Sequence, residues 1–276
     1  MHTVPSGNVA MPALGFGTWQ LEGDVARAAV ESALEIGYRH IDTAAAYRNE
    51  KQVGAAIAAS GVARDDIFLT TKIWVDQFAD GDLQAAAAKS VERLGVDQVD
   101  LLLLHWPKPT PSLEETITAL NEVKAKGLTR AIGLSNFPTV LFDKAVGLSE
   151  APIATNQVEY HPYLAQTAVL AAAKTAGASV TAWSPLAQGK VADDAVLKAI
   201  GEAHGKTPGQ VTLRWLVQQD GVVAIPRTSS ARRAVENFEI FDFALTADEM
   251  ARVHALARPD GRLGDYLDAA FQWDAG

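Results

Sequence analysis

The segment "HIDTAAAYRNE", residues 40–50, sets a carboxylate, Asp42, five positions before a phenol, Tyr47. Lys72 follows in "LTTKIW" and His105 in "LLLLHWP", each at the end of an apolar run. A lysine inside such a run must be paired or lose its charge. Asp42 can be its partner, and the ammonium then lies beside the Tyr47 hydroxyl. At an assumed ~4 Å and an effective dielectric of about 20, its attraction for a phenolate is about 4 kcal/mol, roughly 3 pKa units. Desolvation and Asp42 oppose that pull, so the expected net fall from about 10 is smaller. A tyrosine drawn toward neutral pH serves as general acid, and as base in the reverse direction. A neutral His105 can hydrogen-bond a substrate oxygen and hold it at the phenol. This set protonates a carbonyl oxygen but delivers no electron pair to the carbon. The missing reagent would be a hydride, hence a nicotinamide cofactor.

Each residue also has an ordinary reading. Asp42 could cap a helix, Tyr47 could be a half-buried packing aromatic, and His105 taken singly is more often a core histidine. The conjunction decides, since one neighbourhood satisfies all four. A metal-dependent hydrolase built on His40, Asp42, His105, Glu159 and His161 is a competing reading. It lacks a His-x-His on the first strand and gives Lys72 no role. A non-catalytic nucleotide-sensing module on the same fold is a third, because fold alone does not establish activity.

The elements that would position these residues alternate along the whole chain. Strand candidates are 13–19, 40–44, 67–73, 99–106, 131–136, 154–160, 179–186 and 221–228. They are mostly continuous apolar runs, as in parallel strands buried on both faces. Helix candidates are 24–36, 49–59, 82–94, 112–125, 138–147, 166–175, 193–203 and 231–238. Helices at 207–218 and 246–257 are surplus to eight βα units. Ser112 with Glu115, Thr207 with Gln210 and Thr246 with Glu249 fit capping boxes, and Pro208 suits a first helical position. Eight βα units predict a closed (β/α)8 TIM barrel with extra helices, as one domain over 1–276. The competing open sheet announces itself with G-x-G-x-x-G, whereas Gly15-Phe16-Gly17 continues into Thr18-Trp19-Gln20 without the third glycine. In a barrel the active site lies at the carboxyl ends of the strands. There stand Asp42, Lys72 and His105, with Ser135, Asn136, Asn156, Gln157 and Glu159 on the next two strands.

Bulk properties narrow the partners. The chain has 276 residues, 48% hydrophobic, with a formal net charge of -9. That balance argues against nucleic acid or an anionic membrane as partner. With no cysteine, disulfides, thiolate catalysis and cysteine-bound metals are excluded. No signal peptide and no membrane-spanning run are visible, so a cytoplasmic protein is expected.

The chain resembles the aldo-keto reductases, and within them the bacterial branch that includes 2,5-diketogluconate reductases. The likeness rests on "GYRHIDTAAAYRNEKQVG" (37–54), "GLTRAIGLSNF" (127–137) and "AIPRTSSARRAVEN" (224–237), with "KIW" and "LLHWP" in the right order. It implies a (β/α)8 barrel whose C-terminal tail covers the mouth. The catalytic tetrad would fall on Asp42, Tyr47, Lys72 and His105. It also implies NADPH, with NADH tolerated, and no metal. Ser135, Asn136 and Gln157 would hold the carboxamide, and Trp183 would stack on the nicotinamide. Gly17, Thr18, Ser184, Pro185, Leu186, Gln188 and Gly189 would follow the cofactor. Arg227, Thr228 and Ser229 would take phosphate, Arg233 would help clamp the 2′-phosphate or the adenine, and Glu236 and Asn237 would meet the adenine. The pair Arg232 and Arg233 is a local exception in a chain of net charge -9 and fits a phosphate site, although Arg232 alone would be an ordinary solvated charge.

Arg227 stands where many relatives carry lysine, and Ser230 where some carry another arginine. Arg48 replaces a glycine that often follows the tyrosine. The substrate pocket would be lined by Trp19, Trp74, Trp106 and His105 together with the C-terminal tail. The aromatics of that tail are Tyr266, Phe271 and Trp273, with Trp273 as a substrate contact. Such walls suit small aldehydes and ketones. The sequence shows no strong basic cluster near the tetrad, and a monomer is expected.

Overall fold

The computed structural model describes residues 2–274. The chain opens with a hairpin, β1 (Thr3–Ser6) and β2 (Val9–Pro12), paired antiparallel around Gly7 and Asn8. The amide of Gly7 donates to the Gly177 carbonyl (2.9 Å) just before a later strand, so the hairpin covers the amino-terminal end of the sheet. This hairpin is absent from the sequence reading.

Eight parallel strands follow: β3 (Phe16–Gly17), β4 (His40–Asp42), β5 (Phe68–Ile73), β6 (Val99–Leu104), β7 (Thr129–Ser135), β8 (Ile153–Glu159), β9 (Ser179–Trp183) and β10 (Val222–Ala224). Each pairs with its successor. The ends meet through parallel bridges Leu14 to Ala224 and Gly17 to Arg227. Bonds from the Gly15 amide to the Ala224 carbonyl (2.8 Å) and from the Gly17 amide to the Pro226 carbonyl (2.9 Å) close the barrel. Glycine is required at that seam, because a Cβ on Gly15 would lie 2.7 Å from His40 Nδ1 and 2.9 Å from Ile225.

The helices are α1 (Gly23–Ile36), α2 (Glu50–Ala59), α3 (Asp82–Leu94), α4 (Leu113–Ala125), α5 (Thr139–Leu148), α6 (Thr167–Thr175), α7 (Ala195–His204), α8 (Pro208–Val217), α9 (Ala231–Phe238) and α10 (Ala247–His254). Between β9 and β10 it is α8 that packs on the sheet, while α7 packs on α8 and α10. The supernumerary helix there is therefore α7 rather than 207–218. Its apolar residues face other helices, a distinction that periodicity does not make. The capping boxes at Thr207 and Thr246 form in both directions. At Ser112 only half forms: its hydroxyl accepts the Glu115 amide, while the Glu115 carboxylate accepts from the Asp80 amide (3.1 Å).

Several strands are shorter at their carboxyl ends than the apolar runs predict. After Asp42 the backbone leaves the sheet for a one-turn helix, Ala45–Tyr47, closed by Arg48 at φ +58°. That turn carries the phenol away from the strand and over its end.

Candidate active site

Lys72 is among the largest fully buried side chains, in the company of Trp215, Tyr38 and Phe16. A charge can stay there only with partners. Its Nζ donates to Asp42 Oδ1 at 2.5 Å, to the Thr43 carbonyl at 3.0 Å and to Tyr47 Oη at 3.2 Å. The other Asp42 oxygen accepts from Gln157 Nε2 at 2.8 Å. Asp42 therefore caps no helix; both its oxygens are used inside the barrel. His105, at the end of β6, lies edge-on to Tyr47 (5.6 Å between ring centres) and to Trp74 (5.1 Å).

The turn holding Tyr47 depends on a residue that sequence reading passed over. Buried Asn49 donates to the carbonyls of Thr18 (2.8 Å) and Leu21 (2.9 Å), and accepts from the Thr43 hydroxyl (2.7 Å). Thr18 in turn donates its hydroxyl to the Asp42 carbonyl (3.0 Å). An asparagine directly before α2 reads as a cap, which hides this role.

Protonation follows from burial. Desolvation works against the Lys72 ammonium, but Asp42 and then Tyr47 outweigh it and hold its pKa above the lysine value. Burial, helped by Lys72, holds His105 well below the usual imidazole value, so the ring is neutral. For Tyr47 burial also dominates, and its pKa is raised although Lys72 pulls it down. This reverses the expected fall. The ammonium lies nearer to Asp42 than to the phenol, so part of its field is cancelled. At neutral pH the phenol is fully protonated.

These groups open onto a cleft of about 1910 Å³. Of the residues expected at the cofactor, Gly17, Thr18, Ser135, Asn136, Gln157, Trp183, Ser184, Pro185, Leu186, Gln188, Gly189, Arg227, Thr228, Arg233, Glu236 and Asn237 line it. Ser229 does not; it borders a separate small cavity of about 300 Å³ behind the start of α9. Arg232 lies on the cleft together with Arg233, so both members of the arginine pair line it. Asn156 turns away and bonds the backbone of Phe137.

The amide-bearing residues are bound to one another. Asn136, at φ +64°, donates to the His105 carbonyl (3.0 Å) and Ser135 Oγ (3.0 Å), and accepts from Trp183 Nε1 (2.8 Å). Ser135 donates to the Gln157 carbonyl (2.9 Å). Farther along, Ser184, Ala187, Gln188 and Gly189 all have positive φ, giving a tightly coiled loop. Arg227 spans the groove, donating to the carbonyls of Trp19 (2.8 Å) and Gln20 (2.9 Å).

Of the tryptophans expected at the pocket, Trp19 and Trp74 are partly exposed and Trp106 is buried. All three line the cleft, and the tail expected there contributes Tyr266 and Asp268. Trp273 does not line it; its ring stands edge-on behind Trp106 at 6.1 Å. Arg48, Lys51, Lys89, Arg93 and Lys108 border the outer cleft. Arg48, Lys51 and Lys108 stand within a few residues of Tyr47 or His105 in the sequence, and the fold adds Lys89 and Arg93 from α3.

The rival metal set is dispersed. His40 Nε2 bonds Thr70 Oγ1 (3.2 Å), and His161 Nε2 bonds Glu159 (2.9 Å). Among the described residues no three histidine or carboxylate side chains are grouped to hold a metal.

The model of the aldo/keto reductase family matches residues 13–258. The chain belongs to that family. This aldo-keto reductase is 42% identical to methylglyoxal reductase DkgB of Escherichia coli O157:H7 over 96% of this chain and all of the relative. It is 42% identical to glyoxal reductase of Bacillus subtilis strain 168 over 94% of each chain. A crystal structure provisionally assigned as 2,5-diketo-D-gluconic acid reductase B superposes with a TM-score of 0.98. It shares 51% identity, covering all of this chain and 98% of that one. The Bombyx mori aldo-keto reductase, solved with NADP, gives a TM-score of 0.85 at 33% identity over 92% of each chain.

Proposed function

We propose that the chain reduces small aldehydes and ketones to alcohols with NADPH, Tyr47 acting as general acid. The observation that carries this reading is the placement of Lys72 Nζ within hydrogen-bond reach of both Asp42 and Tyr47 at the base of an open cleft. The substrate class follows the relatives named for methylglyoxal and glyoxal and the aromatic walls.

The cleft fits a phosphorylated dinucleotide. At one end Arg232 and Arg233 stand at the start of α9, where the helix dipole favours an anion. Arg227 lines the same cleft and would exchange its bonds to Trp19 and Gln20 for phosphate. At the other end Ser135, Asn136 and Gln157 offer amide and hydroxyl partners, with Trp183 held by Asn136 as a flat wall. When bound, the dinucleotide supplies the hydride for the carbonyl carbon.

The chain supplies the rest. The Tyr47 hydroxyl passes its proton to the carbonyl oxygen as negative charge develops there. Lys72 steadies the resulting phenolate, while Asp42 keeps the lysine charged and in place. His105 Nδ1 is buried without a partner, so a proton there would have no acceptor, and the ring is assigned its proton on Nε2. From there it donates to the substrate oxygen and fixes it at the phenol. Arginine in place of lysine at 227 keeps the charge as a planar fork, so NADH is used less well rather than refused.

The chain acts as a single barrel domain, as a cytoplasmic monomer. In support, three of its exposed large hydrophobics, Trp19, Trp74 and Tyr266, stand at the cleft mouth, and no described helix is long and apolar enough to cross a membrane. The test is a panel of aldehydes, ketones and dicarbonyls, followed by cofactor absorbance with NADPH and NADH in parallel. Oxidation of NADPH by several small carbonyls, faster than of NADH, is expected. NADPH binding without turnover across the panel would instead support a sensing role.

A further inference from the structure

After α10 the chain runs to Asp274 without regular structure, yet it is fixed at both ends. At the near end the carboxylate of Glu159, fully buried at the last position of β8, accepts the amides of Leu263 (2.7 Å) and Gly264 (3.0 Å). His161 donates to the same carboxylate. The backbone is thereby pressed against Trp183: a Cβ on Gly264 would lie 2.7 Å from the indole. At the far end the carboxylate of Asp274 accepts the amide of Thr139 (3.0 and 3.2 Å) and its hydroxyl. Thr139 is the first residue of α5, and Pro138 before it makes no side-chain cap. The cap of this helix therefore comes from a carboxylate 135 positions away, where free amides and the helix dipole favour one. Between the fixed ends, the Arg262 guanidinium lies 3.7 Å over the Trp273 ring, and Trp273 Nε1 donates to Asp265 (3.0 Å).

Held this way, the segment presents Tyr266 and Asp268 to the cleft, with Tyr266 edge-on to Trp106 at 5.6 Å. Irregular backbone loses substantial entropy when ordered, so this wall persists only while its ends are held. We propose that Glu159 and Asp274 are positioning residues for substrate selection, fixing the tail as the wall that contacts ring-sized carbonyl substrates. Trp273 then belongs to the fastening and not to the pocket surface. A ring-bearing aldehyde offers this wall more apolar surface than a two- or three-carbon dicarbonyl does. The inference rests on the proposed carbonyl reduction for its kinetic arm and on geometry alone for its structural arm.

The experiment compares the intact chain with Asp274→Ala, Asp274→Asn and Glu159→Gln by amide hydrogen exchange over 262–273. Steady-state reduction of methylglyoxal and of 4-nitrobenzaldehyde follows for the Asp274 variants. Losing a helix cap shifts such a closed-to-open balance about fivefold. Asp274→Ala should speed exchange in the tail and raise KM for the aromatic aldehyde about fivefold, with Asp274→Asn between it and the parent. Methylglyoxal kinetics and NADPH affinity should stay within about twofold. Glu159→Gln should speed exchange at 263 and 264. Unchanged tail exchange in both Asp274→Ala and Glu159→Gln would overturn the proposal, and so would equal losses with the two aldehydes. A parent enzyme that turns over neither aldehyde refutes the proposed reaction instead, and the exchange data still decide whether these carboxylates hold the tail.

Discussion

Replacing Lys72 by methionine removes the one cation between Asp42 and Tyr47 while keeping an unbranched side chain in the barrel. The Lys72 to Asp42 contact of 2.5 Å corresponds to about 7 kcal/mol of attraction at an effective dielectric of 20. Much of that offsets the several kcal/mol of desolvation that each buried ion costs. Removing one partner leaves the Asp42 carboxylate with only Gln157 Nε2 as a side-chain donor, so a loss of about 3–5 kcal/mol of stability is expected. Adding Asp42→Asn removes the orphaned charge, and the double variant should regain a large part of that loss. Activity should not return with it. At 3.2 Å the ammonium attracts a phenolate by about 5 kcal/mol at the same dielectric, which sets a loss on the order of 10³–10⁴-fold in reduction. Urea unfolding of the parent, both single variants and the double variant gives the coupling, and single-turnover kinetics gives the chemical step. A Lys72→Met protein as stable as the parent, or a double variant no more stable than Lys72→Met, would refute the reasoning.

The remaining predictions concern pH. His40 is buried, and its imidazole is held at about 4 rather than 6.5 by desolvation. The unfolded chain therefore binds the extra proton first, and the stability of the neutral ring, full above pH about 6.5, is lost as pH falls toward 4. The loss reaches about 3 kcal/mol. His40→Asn should flatten the stability profile over that window, measured by urea unfolding at several pH values; an unchanged slope would contradict the assignment. In catalysis, neutral His105 and protonated Tyr47 predict that kcat/KM for reduction shows no acidic limb near 6.5 and no alkaline limb below 10, their ordinary values. A limb near neutrality that vanishes in a His105 or Tyr47 variant would contradict these protonation states.

All eight barrel strands were legible because burial on both faces leaves unbroken apolar runs such as "LLLL" at 101–104. The tetrad was legible because a charge in such a run has to be accounted for. Other features were not, for identifiable reasons. The amino-terminal hairpin has strands of four residues, too short for a pattern, although Gly7-Asn8 is a turn signal. The direction of the Tyr47 shift depends on how burial balances against a half-neutralised ammonium, which spacing does not reveal. Arg232 taken alone is indistinguishable from a surface charge; only its pairing with Arg233 in an acidic chain points to the cleft. The tail lacks periodicity, so nothing local told that Glu159 would take two of its amides or that Asp274 would cap α5. Tyr266 and Asp268 reach the cleft through those long-range contacts, and Trp273 is drawn back by Arg262 and Asp265.

The central claim is that the Tyr47 hydroxyl gives the proton that completes carbonyl reduction. Tyr47→Phe removes that one oxygen and leaves Asp42, Lys72, His105 and the cleft in place. Its steady-state reduction of methylglyoxal, measured beside NADPH affinity by fluorescence titration, tests the claim directly. Turnover should fall by on the order of 10²–10⁴-fold, with NADPH affinity within about twofold of the parent. Undiminished turnover in that variant would contradict the account.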